Sequence, residues 1–314
     1  VSIGNLTVGG TGKTPVVIYV AEWLLSQGKH VGVLSRGYRR RSRDAQLLVS
    51  DGERLLAGPM EAGDEPYLIA KRCPRAVVAV GADRYELGRW VFERFPIDCF
   101  LLDDGYQHLA LQRDVNLLLI DATDRTGLMA MFPVGRLREP LSAAARASAV
   151  LLTRVDETGV SNGALAQLGD ISPIVKAPIR VVFRPEGFAH AVTGQLVGSD
   201  HFRARTVVAF SGIANARSFR TLLTDMGLIV LDEIVFPDHH AYTASDLNEV
   251  RRLAAQAGAE LLVTTEKDVG KIVSFLGSAD QCWALRLRTD ILDGRERLER
   301  LLLHDRSAHV EACA

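Results

Sequence analysis

Val1-Ser-Ile-Gly-Asn-Leu-Thr-Val-Gly-Gly-Thr-Gly-Lys-Thr14, followed by Pro15, decides the fold. A short apolar run breaks into Gly9-Gly10-Thr11-Gly12-Lys13-Thr14, and an apolar-periodic stretch follows. The order is strand, glycine loop, helix start. Backbone N–H groups of such a loop turn inward and cradle phosphate oxygens, helped by the positive end of the helix. Lys13 is placed to reach the β- and γ-phosphates, and the Thr14 hydroxyl to bind Mg²⁺. Pro15 suits the first helical turn, where its missing donor costs nothing.

The pattern G-x-x-x-x-G-K-[ST] asks for Gly at position 7, where this chain has Thr7. The diglycine Gly9-Gly10 supplies an alternative bend. The loop resembles those of partition-type ATPases, although Val8 stands where they carry Lys.

Working outward, strands alternate with helices: Val31–Leu34, Ala76–Val80, Asp98–Leu102, Val115–Ile120 and Val150–Thr153 read as buried strands. Helices are expected over residues 15–27, 67–72 and 83–95. This alternation predicts an α/β fold with a mostly parallel sheet covered on both faces, of the P-loop type, with a second, smaller α/β lobe. Ligands bind at the carboxyl ends of such strands. Gly9–Thr14, Ser35–Tyr38, Asp103–His108 and Asp121 all lie there. The expected organisation is a nucleotide-binding core over 1–156, a bridging segment over 157–204 with a hairpin near Ile179–Phe188, and a C-terminal lobe over 205–314. The apolar run within Gly127–Gly135 reads as a core-facing loop.

A chain of 314 residues with 47% hydrophobic content can bury one large core or two smaller ones. Its net charge of -1 excludes a generic nucleic-acid binder, so no nucleic-acid partner is expected. Cys73, Cys99, Cys282 and Cys313 lie far apart with no C-x-x-C pair, which disfavours metal and disulfide frameworks and fits a reducing compartment. No stretch reaches the roughly 18 apolar residues of a membrane span.

Cys99-Phe-Leu-Leu-Asp103-Asp104 is a Walker B-like element: buried residues deliver an acid that holds Mg²⁺ beside Thr14. Adjacent carboxylates repel unless a cation sits between them. Asp121, at a neighbouring strand end, is a second candidate. Arg36, Tyr38 and the basic run Arg39–Arg43 follow a strand near the phosphate loop, where an anionic substrate or lipid headgroups would meet them. His108 is a candidate phosphate contact. Asp64 and Glu65 sit in Gly63-Asp-Glu-Pro66, which by itself reads as a turn. Asp238-His239-His240 offers metal binding or proton transfer, and spacing does not choose between them. Glu266-Lys267-Asp268 reads as an ionic cluster at a strand end.

Asn5 through Pro15, Ser35-Arg-Gly-Tyr38, Gly63-Asp-Glu-Pro66, Asp103-Asp-Gly-Tyr-Gln-His108, Leu137-Arg-Glu-Pro140, Asp238-His239 and Thr264-Thr-Glu-Lys-Asp268 occur in order. Together they resemble the tetraacyldisaccharide 4′-kinase family of lipid A biosynthesis, over nearly the whole chain. The resemblance implies transfer of phosphate from ATP, with Mg²⁺, to the 4′-hydroxyl of a tetraacyldisaccharide 1-phosphate, a glycolipid, at the cytoplasmic face of the bacterial inner membrane. It implies that Asp64 acts with a histidine, His239 or the adjacent His240, as base for the sugar hydroxyl, and that Glu65 helps with Mg²⁺. It also implies a membrane helix ahead of the phosphate loop. The sequence begins inside the loop's strand, so such a segment is expected before it. The family usually shows Thr-Lys where this chain has Thr153-Arg154, and a Gly-rich turn where it has Arg39-Arg40. A regulatory or partition-type ATPase is the competing reading, supported by the diglycine and by Thr153-Arg-Val-Asp156, which distantly resembles a guanine-reading motif. A non-catalytic phosphate-binding scaffold fits poorly with Lys13, Thr14, Asp103 and Asp104 all present.

Overall fold

The computed structural model describes residues 1–124, 127–156, 177–277 and 280–303. The strands among them are β1 (Ser2–Asn5), β2 (Val31–Ser35), β3 (Gln46–Asp51), β4 (Val77–Gly81), β5 (Cys99–Asp103), β6 (Asn116–Asp121), β7 (Ala149–Thr153), β8 (Ile179–His190), β9 (Leu196–Val197), β10 (Thr206–Ser211), β11 (Ile229–Val235), β12 (Leu261–Thr265) and β13 (Cys282–Asp293). The chain forms two compact units: Val1–Ala57 with Ile69–Phe183 and Thr289–Ala314, and Gly58–Leu68 with Arg184–Arg288. These units are discontinuous in sequence, whereas the divisions expected at 156/157 and 204/205 are contiguous. Residues 157–176 of the expected bridge lie outside the described residues.

In the first unit the strand order is β8-β7-β6-β1-β5-β2-β4-β3. Pairing is parallel from β7 and β8 through β2 and β4, and β3 closes the edge antiparallel to β4. Every residue of β1, β2, β4 and β7 is buried, as expected of parallel strands covered on both faces. The helix Lys13–Ser26 buries Val16, Val17, Val20, Ala21, Leu24 and Leu25, and packs against β1, β2 and β5. Pro15 is its third residue, within the turn whose N–H groups have no helical partner. Asp83 caps the helix Arg84–Phe92 by accepting from Tyr85 N and Glu86 N.

In the second unit β10 lies between β11 and β12, parallel to both, and β12 pairs parallel with β13. Its core is assembled from Val208, Phe210, Tyr242, Leu247 and Val250 on one side, and Phe188, Phe202, Phe219 and Leu223 on the other. Thr243 caps the helix Ala244–Ala257 through a reciprocal pair with Asp246.

Two expectations are corrected. The hairpin expected near Ile179–Phe188 is a single strand, β8, that continues to His190 and pairs antiparallel with β9 at Phe188 and Ala189. The Gly127–Gly135 loop is not core-facing: Leu128 is buried, but Met129, Met131, Phe132 and Val134 are exposed. Among the described residues no helix is long and apolar enough to cross a membrane.

Candidate active site

The phosphate loop closes on Gly12, whose φ of 84° starts the helix in the left-handed region. A Cβ there would run into the Phe183 ring, so glycine is needed for conformation and for space. Lys13 Nζ lies 3.3 Å from Asn5 Oδ1 and 3.6 Å from Asp104 Oδ1. Asp103 is almost fully buried and accepts from Ser35 Oγ at 2.9 Å. Asp104 adopts a φ of 51°, which turns it out of line from β5. Arg138 Nη1 donates to its Oδ2 at 2.8 Å. Burial opposes ionisation of Asp104, but Lys13 and Arg138 outweigh it and hold its carboxyl below the usual range. The loop, Lys13, Thr14, Asp103 and Asp104 all belong to the first unit.

Arg36 and Tyr38 follow β2, and Tyr38 is exposed. His108 is held below its ordinary pKa by partial burial, reinforced by the positive charge of Arg84. Arg84 itself is buried, a cation at a helix start that sequence reading alone does not single out. Asp121 accepts from Thr123 N at 3.0 Å and Thr123 Oγ1 at 2.7 Å, and its other oxygen pairs with Arg154.

The second unit holds a separate polar cluster. Asp64 and Glu65 do not sit in a turn: they open the helix Asp64–Arg72, with Pro66 as its third residue. Carboxylates are stabilised in a first helical turn by the exposed N–H groups and the helix dipole. His239 Nδ1 lies 3.2 Å from Asp64 Oδ2, and His239 has a φ of 61°. His240 is directed elsewhere: its Nε2 is 3.1 Å from Asp246 Oδ2 and its ring stacks on Phe236. The two histidines that spacing left equivalent are thus separated by backbone conformation.

Glu266-Lys267-Asp268 belongs to the helix Glu266–Ile272, capped by Thr265. Lys267 Nζ lies 3.3 Å from His239 Nε2, 3.3 Å from Asp238 Oδ1 and 3.8 Å from Glu65 Oε1. Lys271 Nζ is buried, 3.2 Å from Asp64 Oδ2 and 2.9 Å from Asp268 Oδ1. Burial pushes the Asp64 pKa up, but His239, Lys271 and Lys267 together bring it below the ordinary value. Lys271 is absent from the sequence-level candidates. Its available signal is spacing, four residues after Lys267 and three after Asp268 on one helix.

Among the described residues no group of three or more His, Cys, Asp or Glu converges as a metal site. Thr14, Asp103 and Asp104 lie in the first unit and Glu65 in the second. A magnesium ion does not require an all-protein cage; one or two carboxylates plus phosphate oxygens and water suffice. Asp104 Oδ1, buried and met at 3.6 Å by Lys13 Nζ, fits such an ion.

Comparison with known proteins shows the family. The family model for tetraacyldisaccharide-1-P 4′-kinase matches residues 1–306. A tetraacyldisaccharide 4′-kinase from Anaeromyxobacter sp. (strain Fw109-5) is 39% identical over 303 residues, covering 96% of this chain and 81% of the relative. One from Pelobacter propionicus is 39% identical over 291 residues, covering 90% and 75%. The crystal structure of LpxK from Aquifex aeolicus in complex with ATP superposes with a TM-score of 0.74 at 33% identity, covering 96% of this chain and 87% of that one. The chain belongs to the tetraacyldisaccharide-1-P 4′-kinase family.

Proposed function

We propose that this chain transfers the γ-phosphoryl group of ATP to the 4′-hydroxyl of a tetraacyldisaccharide 1-phosphate. In the first unit, the amides of Gly9–Gly12 and Lys13 bind the phosphates and offset charge on the transferring group. Thr14, Asp103 and Asp104 would hold Mg²⁺, which supplies further charge neutralisation at the phosphates. Arg36, Tyr38 and His108 contact the acceptor, Arg36 at its 1-phosphate.

In the second unit the Asp64–His239 pair accepts the proton of the sugar hydroxyl. Asp64 stays ionised because His239, Lys271 and Lys267 surround it, and an ionised carboxylate can receive the hydroxyl hydrogen bond. The observation that carries the reading is the Asp64–His239 contact, 175 residues apart in sequence and 3.2 Å in space. A regulatory ATPase has no need of such a pair, and the family match disfavours that alternative.

The exposed Met129, Phe132 and Val134 supply apolar surface for a glycolipid acceptor and a membrane face. We assign the site of action to the cytoplasmic face of the inner membrane, where ATP and such an acceptor coexist. The test is transfer from radiolabelled ATP to lipid disaccharide 1-phosphate in detergent. Label at the 4′ position supports the assignment; ATP hydrolysis with no labelled acceptor overturns it.

A further inference from the structure

The end of β7 is tied to the phosphate loop by contacts that neither nucleotide binding nor proton transfer uses. Arg154 Nη1 donates to the Gly10 carbonyl at 2.9 Å, and the same nitrogen pairs with Asp121 Oδ2 at the end of β6. Thr153, fully buried, shares its hydroxyl hydrogen between Thr11 O at 3.0 Å and Ile120 O at 3.2 Å. The guanidinium also lies over the Phe183 ring, 5.8 Å from its centroid, and that ring walls off Gly12. Arg154 holds a φ of 58°, unusual for a residue with a Cβ, so its backbone is bent to deliver this side chain.

These contacts have a directional consequence. In a trans peptide the C=O and the following N–H point opposite ways. Holding the Gly10 carbonyl on Arg154 sets the plane of the Thr11 amide, which closes a tight turn on Gly9 O at 3.2 Å. Holding the Thr11 carbonyl on the buried Thr153 hydroxyl likewise sets the plane of the Gly12 amide. Arg136 acts alike at the loop's start, donating from Nε and Nη2 to Val8 O at 2.9 and 2.7 Å while its Nη1 lies 3.0 Å from Asp124. The Val8, Gly10 and Thr11 carbonyls are therefore held by side chains from outside the loop before any anion arrives.

We propose that Arg154, anchored by Asp121, is a positioning residue that pre-sets the phosphate loop for nucleotide binding. The proposal rests on the nucleotide-binding reading of that loop, but it concerns the ligand-free state and can be tested there. The contacts to Gly10 and Asp121 run through one nitrogen, so a lysine can reach the same two partners. Alanine supplies neither donor.

The test uses the full chain carrying R154A, R154K, D121N or R154A with D121N. Amide hydrogen exchange over residues 9–13 is measured without nucleotide, and MgATP affinity is measured by titration. R154A and D121N are each expected to speed exchange and to weaken ATP by about tenfold, the scale of one charge-assisted hydrogen bond. The double variant should be no worse than either single one, and R154K should recover most of both readouts. Asp121 separates this from direct phosphate binding by Arg154. If D121N leaves ATP affinity unchanged or tighter while R154A weakens it, the arginine acts on the phosphate itself and the proposal is overturned. Unchanged exchange in R154A overturns it as well. Wild-type protein that fails to bind ATP would sink the nucleotide reading instead, and the exchange measurement would still decide whether Arg154 holds the loop.

Discussion

Lys271 Nζ bridges Asp64 and Asp268, 3.2 Å from one carboxylate and 2.9 Å from the other, with almost no solvent contact. Asp268 in turn accepts from Gly212 N at 3.0 Å, and Gly212 O accepts from His239 N at 3.2 Å. The cation thus ties the proposed base to the backbone that bends its histidine. Removing it leaves two buried carboxylates short of a partner. Lys271→Met is expected to destabilise the protein by about 3 kcal/mol, read as a lower urea midpoint. Adding Asp64→Asn should return part of that loss. A midpoint equal to wild type in Lys271→Met would refute the bridging role.

The Asp64–His239 pair should act as one element. Asp64→Asn and His239→Ala are each expected to lower kcat by about 10²–10⁴ while ATP affinity holds, the usual range for a positioned acid or base. The double variant should lose little beyond the worse single one. His240→Ala, whose ring is committed to Asp246 and Phe236, should not reproduce the kcat loss. Steady-state kinetics with both substrates varied checks all three.

Lys13→Ala should affect both nucleotide binding and turnover. Loss of a donor aimed at developing charge costs on the order of 10²–10³ in kcat. Asp104 would also lose one of the two cations that keep it ionised. Phosphate-transfer rates at saturating acceptor, with ATP titrated, provide the measurement, and a wild-type rate would remove Lys13 from the mechanism.

A pH-dependent contribution to stability is expected at Asp280, away from the proposed chemistry. Arg251 Nε and Nη2 meet its two oxygens at 2.9 Å each, and Gly277 N donates to it at 2.7 Å. The Arg251 hydrogen bonds lead in holding its pKa below the ordinary 3.8. A depressed folded-state value stabilises the protein above the unfolded pKa and ceases to do so as pH falls through the folded one. Asp280→Asn should therefore cost about 1 kcal/mol at neutral pH, allowing for solvent screening, and the difference from wild type should vanish in acid. Urea midpoints from neutral pH downward check the sign.

The exposed apolar loop should matter for lipid and not for folding. Met129, Phe132 and Val134 replaced together by serine are expected to change stability by no more than about 0.5 kcal/mol, as for surface positions generally. Partition onto detergent micelles carrying acceptor should weaken. Undiminished partition would show that this surface does not meet the lipid.

Much of the first unit was legible because its chemistry is local in sequence. Gly9–Thr14 lies between a buried strand and an amphipathic helix, and Asp103-Asp104 ends an apolar run, so strand period and glycine placement sufficed to predict both. The ordered motifs also pointed to the family before any coordinates. Spacing could not say which of His239 and His240 meets Asp64, that Asp64 starts a helix, or that Lys271 lies buried beside it. Those facts depend on the left-handed backbone at His239 and on bringing together segments 175 residues apart. The apolar loop at 127–135 was misread for a related reason: hydrophobic composition marks surface that gains by leaving water, but only packing decides whether the protein itself covers it. Sequence by itself thus determined the phosphate loop, the alternating architecture and the family. Tertiary structure alone decided the partners of the ionisable groups, because charges are matched by distance in space and not by order along the chain.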